Sequence, residues 1–427
     1  MFQGCKRSTV ITVMKIVAFV LVIALISLII FITVGDGKSI RAGCNYKING
    51  DLTEPQPLFL IPGGSKDGFG FYLPEDSSSN VHINAGASIY LACPGSTNYL
   101  EFAGSGTRTA LAKCESGSTY TINSKRYDFS EFSCKSYPFH TARKSGDTCY
   151  DGTKSHIEIG FEVENDFYKI MDVCFDDSEF NTLYSKFTVV SGIGGYQSGF
   201  PRPSFIQGNF YPGLSVDNLY TKNTQRQTIS KLLGSTNLGN DYVSNSSDYY
   251  LARGHMTAKA DYVYGTAHRA TFHFVNIAPQ WQTFNGGNWN SLEMSVRTYA
   301  DKNKLDLEVY TGTHGVTTLP NSNGVETEIY LYVDDNNNKG LPVPKVYWKV
   351  VYNSKTREGI AFIGINNPYV TNPSADYIFC TDVCSRVSWL QWDQKDIKKG
   401  YSYCCDVNDF RKTVKTLPQF TVNSLLT

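Results

Sequence analysis

Tyr249-Tyr-Leu-Ala-Arg-Gly-His255 is followed by Asn276-Ile-Ala-Pro-Gln280 and then by Phe284-Asn-Gly-Gly-Asn-Trp-Asn-Ser-Leu-Glu293. An imidazole, a side-chain amide able to hold a metal and a carboxylate thus fall within about forty residues. Phosphodiester hydrolysis calls for such a set. It needs a base to make a nucleophile from water, a charge partner for the transition state, and a means of stabilising the leaving 3′ oxygen. An imidazole with its ordinary pKa of about 6.5 is largely neutral at pH 7 yet basic enough to take a proton, which makes His255 the candidate general base. A hard cation such as Mg²⁺ keeps most of its waters and takes only one or two protein ligands.

These residues need a frame. Ala270-Thr-Phe-His-Phe-Val275 alternates and is rich in strand-forming residues, which predicts a strand. Over Asn288–Ala300 the spacing of Trp289, Leu292, Val296 and Tyr299 predicts a helix with Trp289 in the core. With a first strand ending at His255, the order is strand, excursion, strand, helix, and Asn285 stands just before the helix. Without that frame the same residues have plainer readings: His255 as a turn residue, Asn285 as a turn or helix cap, Glu293 as a solvated helix carboxylate.

Ala252-Arg-Gly-His255, with Asn285, Trp289 and Glu293 in order and at matching spacing, resembles the DNA/RNA non-specific endonucleases, whose site is a ββα-metal finger opened by Asp-Arg-Gly-His. Within that family the chain is similar to secreted arthropod nucleases acting on double-stranded nucleic acid. The wider resemblance runs from about residue 150 to about residue 417 and includes Thr311-Gly312, Val346-Tyr-Trp-Lys-Val-Val-Tyr352 and the cysteine-rich end. It implies an α+β nuclease domain with a central antiparallel sheet, cleavage to 5′-phosphate ends, and Mg²⁺ as cofactor with Mn²⁺ as the alternative ion. Asn285 would be the direct metal ligand, and Glu293 would orient metal-bound water. Arg253 and Arg202 would neutralise phosphate, a task to which a guanidinium fork is suited. Asn276 and Gln280 would line the site, and Arg297, one turn beyond Glu293, would hold Glu293 or reach the substrate. One departure stands out: Ala252 occupies the place of the family's first acid, so another group must orient the base. That departure also supports a rival reading, an inactive nuclease-like surface protein that binds or takes up nucleic acid. A structural or adhesive ectodomain is a third reading, and it makes the motifs coincidental.

The 427 residues carry no net formal charge, so there is no bulk basic character to draw nucleic acid. Beyond residue 200 there are 22 basic and 19 acidic side chains, and any positive groove must come from local runs such as Lys395-Asp-Ile-Lys-Lys399 and Arg411-Lys412. Such runs are more often solvated surface. With 28 Tyr, 25 Phe and 5 Trp, base stacking points to no particular ring.

Ile16–Val34 is an uncharged apolar run preceded by Lys6, Arg7 and Lys15. At ~1.5 Å per residue it approaches the ~30 Å hydrocarbon core and exceeds a usual signal-peptide core of ~7–15 residues. The expectation is a single-pass type II signal anchor (residues 16–34) with a cytoplasmic tail (1–15) and an extracellular body; a cleaved signal and a secreted protein is the alternative. Either route exposes ten cysteines, Cys44, Cys93, Cys114, Cys134, Cys149, Cys174, Cys380, Cys384, Cys404 and Cys405, to an oxidising compartment. Disulfides are expected, with two bridges joining Cys380 and Cys384 to Cys404 and Cys405 in preference to a zinc site. Asn245-Ser-Ser offers a glycosylation sequon.

The body divides on composition into a small disulfide-braced β domain at residues 44–145, of no assigned role, and the nuclease domain at 150–427. Short β-prone runs include Pro57–Gly64 and Ser88–Cys93 in the first part, and His156–Val163 at the start of the second. Gly192-Ile-Gly-Gly195 reads as a flexible loop. Asp334-Asp-Asn-Asn-Asn338 reads as a polar hairpin loop, since it lacks the glycine and final glutamate of an EF-hand.

Overall fold

Alternating apolar side chains build the centre of the molecule. The computed structural model describes residues 42–66 and 70–427, of which residues 43–427 form one compact unit. Four early strands, β1 (Thr141–Cys149), β2 (Lys154–Val163), β3 (Asp166–Asp176) and β4 (Asn181–Val189), form a meander. A short hairpin follows, β5 (Leu251–His255) with β6 (Ile277–Trp281), and then helix α1 (Asn290–Asn303). Strands β7 (Leu307–Val316), β8 (Pro344–Asn353), β9 (Glu358–Ile365) and β10 (Ser402–Cys405) complete the large sheet. Its order is β10-β9-β8-β7-β4-β3-β2-β1, antiparallel throughout, with Ser424–Leu425 pairing in parallel to the start of β9.

Both faces of this sheet are covered, so its central strands are apolar on both sides. Along β8, Val346, Trp348, Val350 and Tyr352 enter one cluster, whereas Tyr347 and Val351 enter the other. Lys349 lies between these last two and is therefore a charged residue buried on the same face. Hairpin and helix cover that face: Trp289 packs on Tyr347 with ring centroids 5.4 Å apart.

The five-stranded small sheet runs in the order Leu58–Leu60, Ser88–Ala92, Thr109–Ser116, Thr119–Ile122, Lys125–Asp128. Disulfides Cys44–Cys114 and Cys93–Cys134 brace this region. Its apolar side chains share one cluster with those of the large sheet, and Tyr46 Oη lies 2.7 Å from Tyr264 Oη. Residue 145 falls within β1, which pairs with β2. The remaining bridges are Cys149–Cys174, Cys380–Cys405 and Cys384–Cys404, so all ten expected cysteines are paired. Asp382 stands beside Cys384 and Cys404, but both sulfurs are spent in that last bridge.

Two local expectations are corrected. Residues 270–275 are no strand: a short helix (Gly265–Ala270) and a 3₁₀ turn (Phe274–Asn276) share them, and the second strand begins at Ile277. The cause is Asn276, whose Nδ2 donates to the carbonyls of Thr257 and Thr271 and folds the excursion back on itself. Gly192–Gly195 is a packed turn with Ile193 fully buried, and a Cβ at Gly192 would lie 2.3 Å from the Pro74 carbonyl. The Asp334–Asn338 loop does join two antiparallel strands, Tyr330–Val333 and Lys339–Pro342.

The tail at residues 1–15 and the apolar run at 16–34 lie outside the described residues. Among the described residues no helix is long and apolar enough to cross a membrane.

Candidate active site

His255 ends β5, opposite Ile277 of β6. Gly254 before it is required by close approach, because a Cβ there would lie 2.5 Å from the Gln280 side chain and 2.7 Å from Tyr347 Oη. The half-buried imidazole is walled by Phe272 and Phe205, with ring centroids 5.0 and 5.5 Å away. It bonds to the Arg253 backbone through one nitrogen, and its Nε2 is buried with no partner. These contacts orient the ring where Ala252, paired with Gln280 across the hairpin, supplies no carboxylate. Burial, and secondly the charge of Arg202, push the pKa down to about 3, so the ring is neutral.

Arg202 reaches this place because its segment docks on the excursion. The Ile206 amide donates to Phe272 O, and the Phe274 amide donates to Ile206 O. The Arg202 guanidinium is exposed and lies 5.1 Å from the Phe272 ring centroid. Arg253 sits across the same aromatic wall, 5.6 Å from the Phe205 centroid and 5.2 Å from that of Tyr220. Its Nη2 donates to Asp217 Oδ1 at 2.7 Å and to the Asp217 carbonyl at 3.1 Å. Asp217 is 74% exposed, so this pair contributes no more than about 1 kcal/mol and yields readily to a phosphate.

Asn285 opens a wide turn (Asn285–Trp289) that leads into α1. Its Nδ2 donates to Gln282 Oε1 at 3.0 Å, which fixes the amide and leaves Oδ1 without a partner among the described residues. The turn is held from behind by Asn288, whose Nδ2 donates to the carbonyls of Asp393 and Gly400 and whose Oδ1 accepts from the Asp393 amide. A half-buried amide oxygen with no partner suits a hard cation that keeps most of its waters. The donor set therefore fits the expected metal.

Glu293 lies one turn into α1 and meets a network of charges. Burial first, and the nearby Asp261 second, raise its pKa to about 7, against the pull of Lys349 and Arg297. Arg297 donates from Nη1 to Asp261 Oδ1 at 2.8 Å, and Asp261 Oδ2 accepts from the Ala258 amide. The helix is thereby tied to the chain just beyond His255. Lys349, lowered by burial, donates to Thr311 Oγ1 at 2.6 Å.

The structure thus gathers His255, Arg202 and Arg253 round one aromatic wall, and places Asn285 and Glu293 at successive turns after the hairpin. Three other expected residues, Asn276, Gln280 and Arg297, have little exposed surface. Asn276 is fully buried and its amide is bonded to Thr257 and Thr271, where it clasps the excursion. Gln280 is also fully buried, with neither amide atom paired. Arg297 is an ion-pair partner of Asp261. Sequence reasoning missed Phe205, Phe272, Asp217, Asp261 and Lys349; of these, only Lys349 carried a signal, as a lone charge in an apolar strand. Asn245 is exposed, as a glycan acceptor must be.

A hairpin and helix laid on an antiparallel sheet, carrying one neutral imidazole, one free amide oxygen and flanking guanidiniums, make this a mixed α/β fold of the nuclease class. The chain belongs to the DNA/RNA non-specific endonuclease family, whose model matches residues 152–410. It is 29% identical over 399 residues to a salivary endonuclease of Lutzomyia longipalpis, covering 91% of this chain and 88% of that one. It is 25% identical over 379 residues to salivary protein Tsal2A of Glossina morsitans morsitans, covering 88% and 92% of the two chains. A salivary endonuclease of Culex quinquefasciatus is 25% identical over 346 residues, covering 80% and 82%.

Proposed function

We propose that this protein is an extracellular, metal-dependent, sugar-non-specific endonuclease that hydrolyses phosphodiester bonds of DNA or RNA and leaves 5′-phosphate ends. The observation that carries the reading is the neutral His255 imidazole, with a buried, unpartnered Nε2 beside the exposed guanidinium of Arg202. A diester anion entering this place pairs with Arg202. It thereby removes one cause of the depressed pKa and adds a negative charge, so that substrate raises the proton affinity of the base it needs. Water then gives a proton to His255 Nε2 as its oxygen bonds to phosphorus. The P–O3′ bond breaks, and its electron pair stays on the 3′ oxygen, which takes up a proton from solvent water, while His255 returns its proton to solvent.

Arg253, displaced from Asp217, adds a second guanidinium to the phosphate oxygens. Asn285 would hold Mg²⁺ or Mn²⁺, which when bound supplies positive charge to the phosphate and the leaving oxygen. Glu293, eight residues further on, would serve as hydrogen-bond acceptor for water around that ion, and Arg297 and Lys349 favour its charged form. Contacts of this kind read backbone and not base, so sequence preference is slight. The test is to incubate the purified protein with plasmid, duplex RNA and single strands, with Mg²⁺ or with chelator. Metal-dependent cleavage is expected, and cleavage that survives chelation overturns the metal assignment.

A further inference from the structure

The basic run Lys395–Lys399 stands apart from the catalytic chemistry, yet the fold bolts it to the turn that carries Asn285. Asn288 donates a backbone bond to Lys399 O at 3.1 Å, and its side chain holds Asp393 and Gly400 on either side of the run. A Cβ at Gly287 would lie 2.9 Å from Lys399, so glycine is what permits this approach. Between the two segments lies an open groove of about 530 Å³, bordered by Tyr249, Gln282, Gly286, Gly287, Lys398 and Lys399. Gln282 is the residue that holds the Asn285 amide, so the groove continues from the candidate metal position.

The charges of the groove are unequal in freedom. Lys399 is shared with Asp393 at 3.4 Å and Asp396 at 3.5 Å. Lys398 is exposed, has no ion pair among the described residues, and is held 5.8 Å from the Tyr249 ring centroid. Asp248 and Asp396 also border the groove, so a lone metal ion is an alternative occupant by charge. Two lysines fixed on a groove with glycine backbone on the far wall suit a phosphate-bearing strand better.

Resting on the endonuclease reading, we infer that this groove is a second phosphate subsite, in which Lys398 and Lys399 grip the nucleic-acid backbone beside the cleaved bond. Neutralising two phosphates contributes about 1.5 to the slope of log affinity against log salt concentration. The experiment measures binding of a labelled oligonucleotide in EDTA across a salt series, with Mg²⁺-supported cleavage by wild type run in parallel. Lys398→Gln with Lys399→Gln is expected to flatten the slope by about 1.5, and Lys398→Arg with Lys399→Arg to restore it. The charge-matched control Lys125→Gln with Lys135→Gln, on and after the small sheet, keeps the wild-type slope. Should the double variant lose its melting transition, Lys398→Gln alone reads about half the change. An unchanged slope in a folded variant overturns the subsite, as does wild type that shows no salt-dependent binding. If wild type binds but never cleaves, the endonuclease reading falls while the subsite stands.

Discussion

Acidification should unfold this protein well before its carboxylates alone would. His140, His268 and His273 are almost wholly enclosed, and burial lowers their pKa values to about 3, 4 and 4. Arg269 adds to the depression at His140; His140 Nδ1 and His273 Nε2 lie 2.9 Å apart and His268 is held to the Tyr262 carbonyl. In each case the folded pKa lies below the unfolded value of about 6.5, so the unfolded chain binds the extra protons and stability falls as pH drops from about 6.5 toward 4. At pH 5 each ring costs about 2 kcal/mol relative to pH 7.5, or about 6 kcal/mol for three. His255, the proposed base, is left out of that sum, which counts only the three rings outside the candidate site. Glu293 has the opposite sign: its pKa, raised to about 7, makes its charged form a burden at pH 7.5 that is relieved on acidification. The relief is worth about 2 kcal/mol, which leaves a net loss of about 4 kcal/mol, a large share of a typical total of about 5–15 kcal/mol. Urea unfolding followed by tryptophan fluorescence at a series of pH values measures this directly. A midpoint that stays constant between pH 7.5 and 5 refutes the reasoning, and His268→Gln should flatten the dependence by about half.

His255→Ala should preserve the fold and nucleic-acid binding while cutting turnover by at least about a hundredfold, the usual scale for loss of a general base; near-normal turnover by the folded variant removes His255 from that role. Asn285→Ala should abolish most Mg²⁺-supported cleavage, whereas Glu293→Gln should weaken it less and recover in part at higher metal concentration, as a metal titration of both would show. Asn288→Ala removes three buried hydrogen bonds behind the metal turn, with an expected loss of about 2–4 kcal/mol in unfolding free energy and a raised metal requirement. If metal dependence does not move, the brace does not position Asn285.

The parts of the site legible in the sequence are those whose geometry is local. His255 ends a strand, Asn285 precedes a helix and Glu293 lies within it, so spacing along the chain fixes their order and approximate placement. Arg202 was legible only as a residue type, because the bridge that seats its segment pairs Ile206 with His273. The strand expected at residues 270–275 failed for an instructive reason: this segment is buried on all sides, so apolar and polar residues alternate without a sheet to face. For Asn276 it is the family resemblance, and no local pattern, that implies a lining role. What decides its role is the pair of carbonyls it closes over, at Thr257 and Thr271.

The charge network behind Glu293 was the least legible part, and its logic is tertiary. Asp261, Glu293, Arg297 and Lys349 come from a 3₁₀ turn, a helix and a central strand. Two acids and two bases share one low-dielectric pocket. Burial favours a neutral Glu293, Asp261 reinforces it, and the two cations oppose both. The outcome is a carboxyl poised near neutrality, whereas an isolated helix glutamate would be ionised throughout that range. Moderate acid therefore acts on the site through Glu293, whose carboxyl is poised in that range, rather than through His255, whose unliganded ring protonates only near pH 3. An acid limb in the cleavage rate that moves with Glu293→Gln and stays put when Arg202 is replaced would support that division. An acid limb that follows Arg202 instead would assign the titration to the imidazole.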